Sequence, residues 1–212
     1  MTAARKYLSL GVLSLAAALT LTGSAPAALL GDTLPGTVAT NDKPSTCEAQ
    51  TSQPFARWGD NANYVLMPGG TFEPSAPAWK LTGGAKIARG NEPYYVNAKT
   101  DAYSLTLPAG SSATTPPMCF AFGDWKLRFF AVGSSGKLRV KVNVKSALGL
   151  LSGLDAGTMT SGSKWQPSPE MQLLLTNISG LLAVESISLT FSPASSNTVR
   201  IDDGYLDPWK ST

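Results

Sequence analysis

LRVKVNVK, residues 138 to 145, alternates without a break: Leu138, Val140, Val142 and Val144 are apolar, and Arg139, Lys141, Asn143 and Lys145 are polar. Successive side chains of a β-strand point to opposite faces, so a period of two describes a strand with one buried and one wet face. Runs of similar length recur on either side of it: NYVLM (63–67), AKIAR (85–89), YSLTL (103–107), KLRFFAV (126–132), MQLLL (171–175) and ESISLTF (185–191), the last with Ile187, Leu189 and Phe191 on one side. Phe129 and Phe130 are neighbours and must face opposite ways, one into a core and the other beneath a loop. The runs are joined by PGG, TGG, PAGSS, GSSG, GLDAG and SPASSN. Short strands punctuated by Gly, Pro and Ser turns predict an all-β fold, a two-sheet antiparallel sandwich or a barrel. LLSGL (150–154) and NISGLLAV (177–184) could each include a helical turn. No internal repeat and no second folded domain is visible.

The first residues follow a different rule. Arg5 and Lys6 make a basic start, Leu8 to Leu21 is apolar, and Ala25-Pro26-Ala27 has the small-x-small pattern of a signal-peptidase site. A membrane span needs about 20 unbroken apolar residues, and Gly23, Ser24 and Pro26 interrupt this run too early. The expectation is a signal peptide over 1–27, a flexible Gly/Pro/Thr/Asp linker over 28–46, and a sandwich domain over 47–212 in a secreted, extracellular protein. No second long apolar run follows, so no stable membrane insertion is expected after cleavage.

Removing the leader takes two of the 17 basic residues and leaves 15 against 14 acidic ones, a net charge of +1. The basic balance of the whole chain is therefore no argument for nucleic acid. There is no histidine. That removes the commonest general base, the Ser-His-Asp and Cys-His arrangements and most zinc sites. Cys47 and Cys119 are the two cysteines. In an exported protein they are expected to pair, and closing so long a loop stabilises by roughly 4 kcal/mol in the chain-entropy model.

LMPGGTFEPSAPAW (66–79) is a strand, a Gly-rich turn, Phe-Glu and then a Trp, and the chain closes with IDDGYLD (201–207). This pairing resembles the jelly-roll carbohydrate-binding modules of the galactose-binding-like superfamily, in which an early G-x-F-E…W segment and a final I-D-D-V strand lie close together. The resemblance implies a jelly-roll sandwich, carbohydrate binding, and a structural calcium held by Glu73 and an Asp of the last strand with backbone carbonyls. From Cys47 onward the segments RWGD, SATTPPMC, RFFA, WQPSP and IDD…DPW are also similar to a group of exported actinobacterial proteins. Gly204 departs from the pattern, standing where Val is usual, and suggests a bulge beside the carboxylates.

Calcium takes six to eight oxygen ligands, and Glu73 with Asp202 or Asp203 would suit it. Strand alternation predicts that only one of the two aspartates faces such a site. In the competing reading one caps a turn and the other pairs with Arg200 or a lysine. For a sugar, which stacks its C–H face on an aromatic ring, the candidates are Tyr94, Tyr95, Tyr103 and Trp125. Tyr94 and Tyr95, adjacent on an extended segment, should point to opposite faces. Trp79 and Trp165 read as core plugs. Most acids, among them Asp60, Asp101, Asp124 and Asp155, sit beside turn residues as solvated charges, and no pair stands out as catalytic. The expected function is a non-catalytic exported binding module for carbohydrate or cell-envelope glycan. The alternatives are a structural or protein-interaction domain of the cell surface and a glycoside hydrolase.

Overall fold

The structure, a computed structural model, describes residues 50–119, 125–173 and 184–207. The chain divides into Met1–Asn41 and Asp42–Thr212. The leader, Cys47, Asp124 and nearly all of the NISGLLAV run lie outside the described residues.

What is described is built from strands and one short 3-10 turn, Ala56–Trp58. In chain order the strands are β1 (Thr51–Ser52), β2 (Tyr64–Leu66), β3 (Lys80–Thr82), β4 (Lys86–Arg89), β5 (Tyr103–Leu107), β6 (Ser112–Thr114) and β7 (Trp125–Val132). They continue with β8 (Lys137–Ser146), β9 (Gly149–Thr160), β10 (Gln166–Pro167), β11 (Met171–Leu173), β12 (Val184–Pro193) and β13 (Val199–Asp207). A smaller sheet runs β3-β6-β12-β8-β9, and a larger one gathers the other eight strands around β13 and β7. All pairings are antiparallel, which makes the protein an all-β two-sheet sandwich. Among the described residues no helix is long and apolar enough to cross a membrane.

The alternation in β8 does what its pattern demands. Leu138, Val140, Val142 and Val144 are buried, and across the ladder Ile187, Leu189 and Phe191 of β12 join them in the core between the sheets. From the larger sheet Trp125, Leu127, Phe129 and Ala131 of β7 and Leu105 and Leu107 of β5 point into the same core. One expectation fails here. LLSGL and GLDAG are neither helical turn nor connection but part of β9, a twelve-residue strand paired to β8 throughout. Two register shifts and left-handed glycines at 149, 153 and 157 break the period of two that would have revealed it.

Phe130, one residue beyond Phe129, faces out of the sandwich. It stacks on Phe55 at 5.4 Å and, with Tyr64 and Tyr205, forms a second small core on the outer face of the larger sheet. Trp58, Tyr94 and Trp165 close it from above as half-buried rings. The outward face of this sheet is thus roofed by the loops that carry Phe55, Trp58 and Tyr94.

Candidate functional site

β13 is paired end to end by two different strands. β5 pairs with Val199–Ile201, β2 pairs with Tyr205 and Leu206, and β7 runs along the opposite side. Between the two pairings the register shifts, from Asp202 to Tyr205. Asp203 takes a left-handed backbone with φ 45°, so the bulge that Gly204 suggested is present. Gly204 donates to Gly70 O at 3.2 Å and accepts from Met67 N at 2.9 Å.

The bulge overturns the alternation argument. Asp202 and Asp203 are both 0% exposed, and neither pairs with a cation among the described residues. Asp202 accepts the N–H groups of Glu92 at 2.9 Å and of Asp203 at 3.0 Å. Asp203 accepts from Asn97 N at 3.2 Å through one oxygen, while its Oδ1 is buried without a partner. Around them the loop from Asn91 to Ala102 folds onto the bulge. Buried Glu92 receives the N–H groups of Tyr94 and, at 2.7 Å, Val96, and buried Asp101 receives Asn97 Nδ2 at 2.8 Å. Glu73 reaches in from the other side and accepts from Ala102 N at 2.6 Å and Tyr103 N at 3.0 Å.

Burial and mutual repulsion govern this cluster. Loss of solvent, then the charge of Asp203, pushes Asp202 up to about 9, and loss of solvent, then Glu92, pushes Asp203 up to about 7. Burial raises Glu92 as well. Carboxylates in such a place hold protons or a cation. The donors are all hard oxygens, which suits calcium, and the orphaned Asp203 Oδ1 is the natural first ligand. Among the described residues no three acidic side chains are drawn together as a ready ligand set, so backbone carbonyls or water would complete a shell begun by Asp203.

The aromatic candidates separate. Trp125 is 2% exposed inside the main core and is no ligand platform, because β7 turns its odd-numbered residues inward. Tyr103 is half-buried at the start of β5, paired with Arg89 of β4, whose guanidinium lies 5.1 Å from its ring. Tyr94 is half-buried, 5.0 Å from Trp58, and donates through its hydroxyl to Trp165 O at 2.8 Å. Tyr95 is 49% exposed. The two tyrosines do diverge, but through a turn in which Tyr95 has φ 53°, not along an extended segment. Trp79 is a core plug, its indole donating to Pro68 O at 2.9 Å.

Trp165 is only half-buried and belongs to a rim of Trp58, Tyr94 and Trp165. Arg57 lies 5.3 Å from the ring of Tyr94, and Arg200 lies 5.8 Å from that of Trp165. Sequence reasoning missed Trp58, Arg57, Arg200 and Glu92, since nothing in their spacing says that residues near 57, 94, 165 and 200 meet. Asp60 is not a solvated charge either. Burial opposes its ionisation, but the hydroxyl of Tyr64 at 2.6 Å and the guanidinium of Arg128 at 2.6 Å outweigh it and hold the carboxyl below its ordinary value.

No family model matches the chain, and no curated protein does. Solved structures of similar shape include the CBM22-1 xylan-binding domain of Paenibacillus barcinonensis Xyn10C, at 13% identity and TM-score 0.45 over 69% of this chain and 93% of that one. TmCBM61, solved with β-1,4-galactotriose, is 18% identical with TM-score 0.39 over 65% of this chain and 90% of that one. The family 11 carbohydrate-binding module of the Clostridium thermocellum cellulase Lic26A-Cel5E is 16% identical with TM-score 0.42 over 71% and 98%.

Proposed function

We propose that this domain is an exported, non-catalytic binding module for carbohydrate or cell-envelope glycan, closed by a Cys47–Cys119 disulfide and stabilised by calcium at the β13 bulge. The observation that carries the reading is the contiguous rim of half-buried rings, Trp58, Tyr94 and Trp165, with exposed Tyr95 next to Tyr94 in the chain. A pyranose stacks its C–H face on such rings. Because Trp58 and Tyr94 already pack on Phe130 and Tyr94 is anchored to Trp165 O, little side-chain freedom is lost on binding.

The carboxylates argue for structure over hydrolysis. Two acids that cleave a glycosidic bond must flank it, and Asp202, Asp203 and Glu92 are buried and bonded to backbone N–H groups, away from any substrate. In a pull-down against insoluble polysaccharides that include peptidoglycan and arabinogalactan-type polymers, the wild type is expected on at least one polymer. Trp58→Ala should weaken retention about tenfold or more, as loss of a stacking aromatic does at binding hot spots, and Tyr95→Ala should weaken it without disturbing the fold.

A protein-interaction role is the second reading, favoured by one feature. At the β8–β9 hairpin Leu148 is 78% and Leu150 71% exposed, with Leu151 beside them. Failure of the wild type to bind any polymer of the panel would transfer the function to that hairpin.

A further inference from the structure

We propose that the ligand of the aromatic rim is a polyanionic glycan, a chain of uronic-acid residues, and not a neutral polysaccharide. The inference rests on the carbohydrate reading of the same rim and concerns what the rim asks of the sugar beyond a stacking face.

The cations are the starting point. Arg57 is exposed, with its guanidinium 5.7 Å from the ring centroid of Trp58 and 5.3 Å from that of Tyr94. Arg200 sits over Trp165 and is held there by Nη2, which donates to Arg89 O at 2.8 Å and Gly90 O at 2.6 Å. Its Nε is buried, so Arg200 contributes charge here and not a free donor edge. Arg200 opposes Thr106, and Thr106 opposes Lys86, so Lys86 stands on the same face in the same cross-strand row. Two strand spacings separate them, roughly 10 Å.

None of these cations is matched by a carboxylate. The ion pairs of the described residues are Lys126–Glu170, Arg128–Asp60 and Lys145–Glu185, and Arg57, Lys86, Arg89 and Arg200 take part in none of them. The nearby acids Glu92, Asp202 and Asp203 are buried beneath the loop, away from the rim's surface, and Asp60 is taken by Arg128 and Tyr64. At its surface the rim is therefore aromatic and of one sign.

Exposed Arg57, stacked on its rings, keeps its N–H edges toward solvent, and that planar fork matches a carboxylate in bidentate fashion, whereas Arg200, with Nη2 held and Nε buried, adds positive charge beside Trp165. A uronic acid offers both complements at once. Its ring face covers Trp58, Tyr94 or Trp165, and its carboxylate meets Arg57 in the field of Arg200 and Lys86. A neutral sugar would use the rings and leave the cations unanswered.

The test measures binding of the full protein to polygalacturonate, polyglucuronate and alginate, each beside its carboxyl-reduced, neutral form, at low and at raised salt. Polyphosphate serves as a polyanion without sugar rings. At least one polyuronate should bind about tenfold or more tighter than its reduced form, a difference of about 1.4 kcal/mol, and the difference should shrink with salt. Arg57→Gln, and separately Lys86→Gln, should remove much of it with an unchanged melting temperature, since both side chains are exposed. Equal affinity for acid and reduced forms overturns the inference and leaves the carbohydrate reading standing. Polyphosphate bound as tightly as the best polyuronate also overturns it, because charge alone would then suffice. No binding to any polyuronate overturns it too, and if every neutral polymer fails as well, the carbohydrate reading falls with it.

Discussion

Asp203 has a left-handed backbone, full burial and one carboxylate oxygen without a partner. The burial and the unpartnered oxygen disfavour an ionised aspartate and tie the stability of the domain to pH. In metal-free protein the folded state keeps protons that the unfolded chain releases near 3.8, because Asp203 is raised to about 7 and Asp202 to about 9. Stability is then fully present below the unfolded value and is lost as pH rises through the folded values, by at most about 1.4 kcal/mol per pH unit for each group. A melting temperature measured in chelator should fall steadily across that window. Calcium replaces the protons, so its stabilising effect should grow with pH and reach about 2.7 kcal/mol at a hundredfold excess over Kd. Asp203→Asn places a neutral amide at the orphaned position. It should remove the share of the pH dependence that Asp203 carries, leaving that of Asp202, and abolish the calcium shift. A profile that is flat in chelator, or a calcium shift that survives Asp203→Asn, contradicts this account.

At the scale of the element, the bulge of β13 is fixed by two glycines with different neighbours. A Cβ at Gly70 would lie 2.8 Å from the backbone oxygen of Gly204, whereas one at Gly204 would lie 2.1 Å from Cε of Met67, the end of a flexible side chain. Gly70→Ala should therefore cost more than Gly204→Ala, whose overpacking is about 1–3 kcal/mol. Adding Met67→Ala should recover part of the loss for Gly204→Ala and none for Gly70→Ala, as double-mutant cycles from thermal melts would show. Equal rescue of both would mean that the bulge yields as a unit. The same strand marks where legibility in the sequence ends. β8, β12 and the split of Phe129 from Phe130 could be read directly, since an unbroken period of two needs no knowledge of partners. β9 could not, because its glycines and register shifts erase the period while β8 supplies its hydrogen bonds. Asp202 and Asp203 could be singled out as misplaced in a strand, but not their common burial. Glu92 and Asp101 arrive from a loop about a hundred residues upstream with no local pattern to announce them. Trp125 was misjudged because a tryptophan after a turn looks alike whether the strand turns it in or out.

For the whole molecule, the proposed Cys47–Cys119 bridge would join the start of the domain to a buried position next to Met118, which itself bridges to Ile187 in the smaller sheet. Alkylation without reduction should add no mass to the native protein, and alkylation after reduction should add two groups. Reduction should lower the melting temperature by roughly 10 °C. Two alkylatable thiols in the native protein would remove the bridge. The pairing of β13 carries a consequence for how the molecule comes into being. It is the last strand in chain order, yet it is the seam to which β2, β5 and β7 are all stitched. While the chain emerges in order from the ribosome, β2 can pair with β1, β5 with β4, and β7 with β10 and β11, but these three pieces have nothing to join them to one another. The larger sheet can close only when β13 arrives, after nearly all of the described residues, so its pieces stay separable until the end of synthesis.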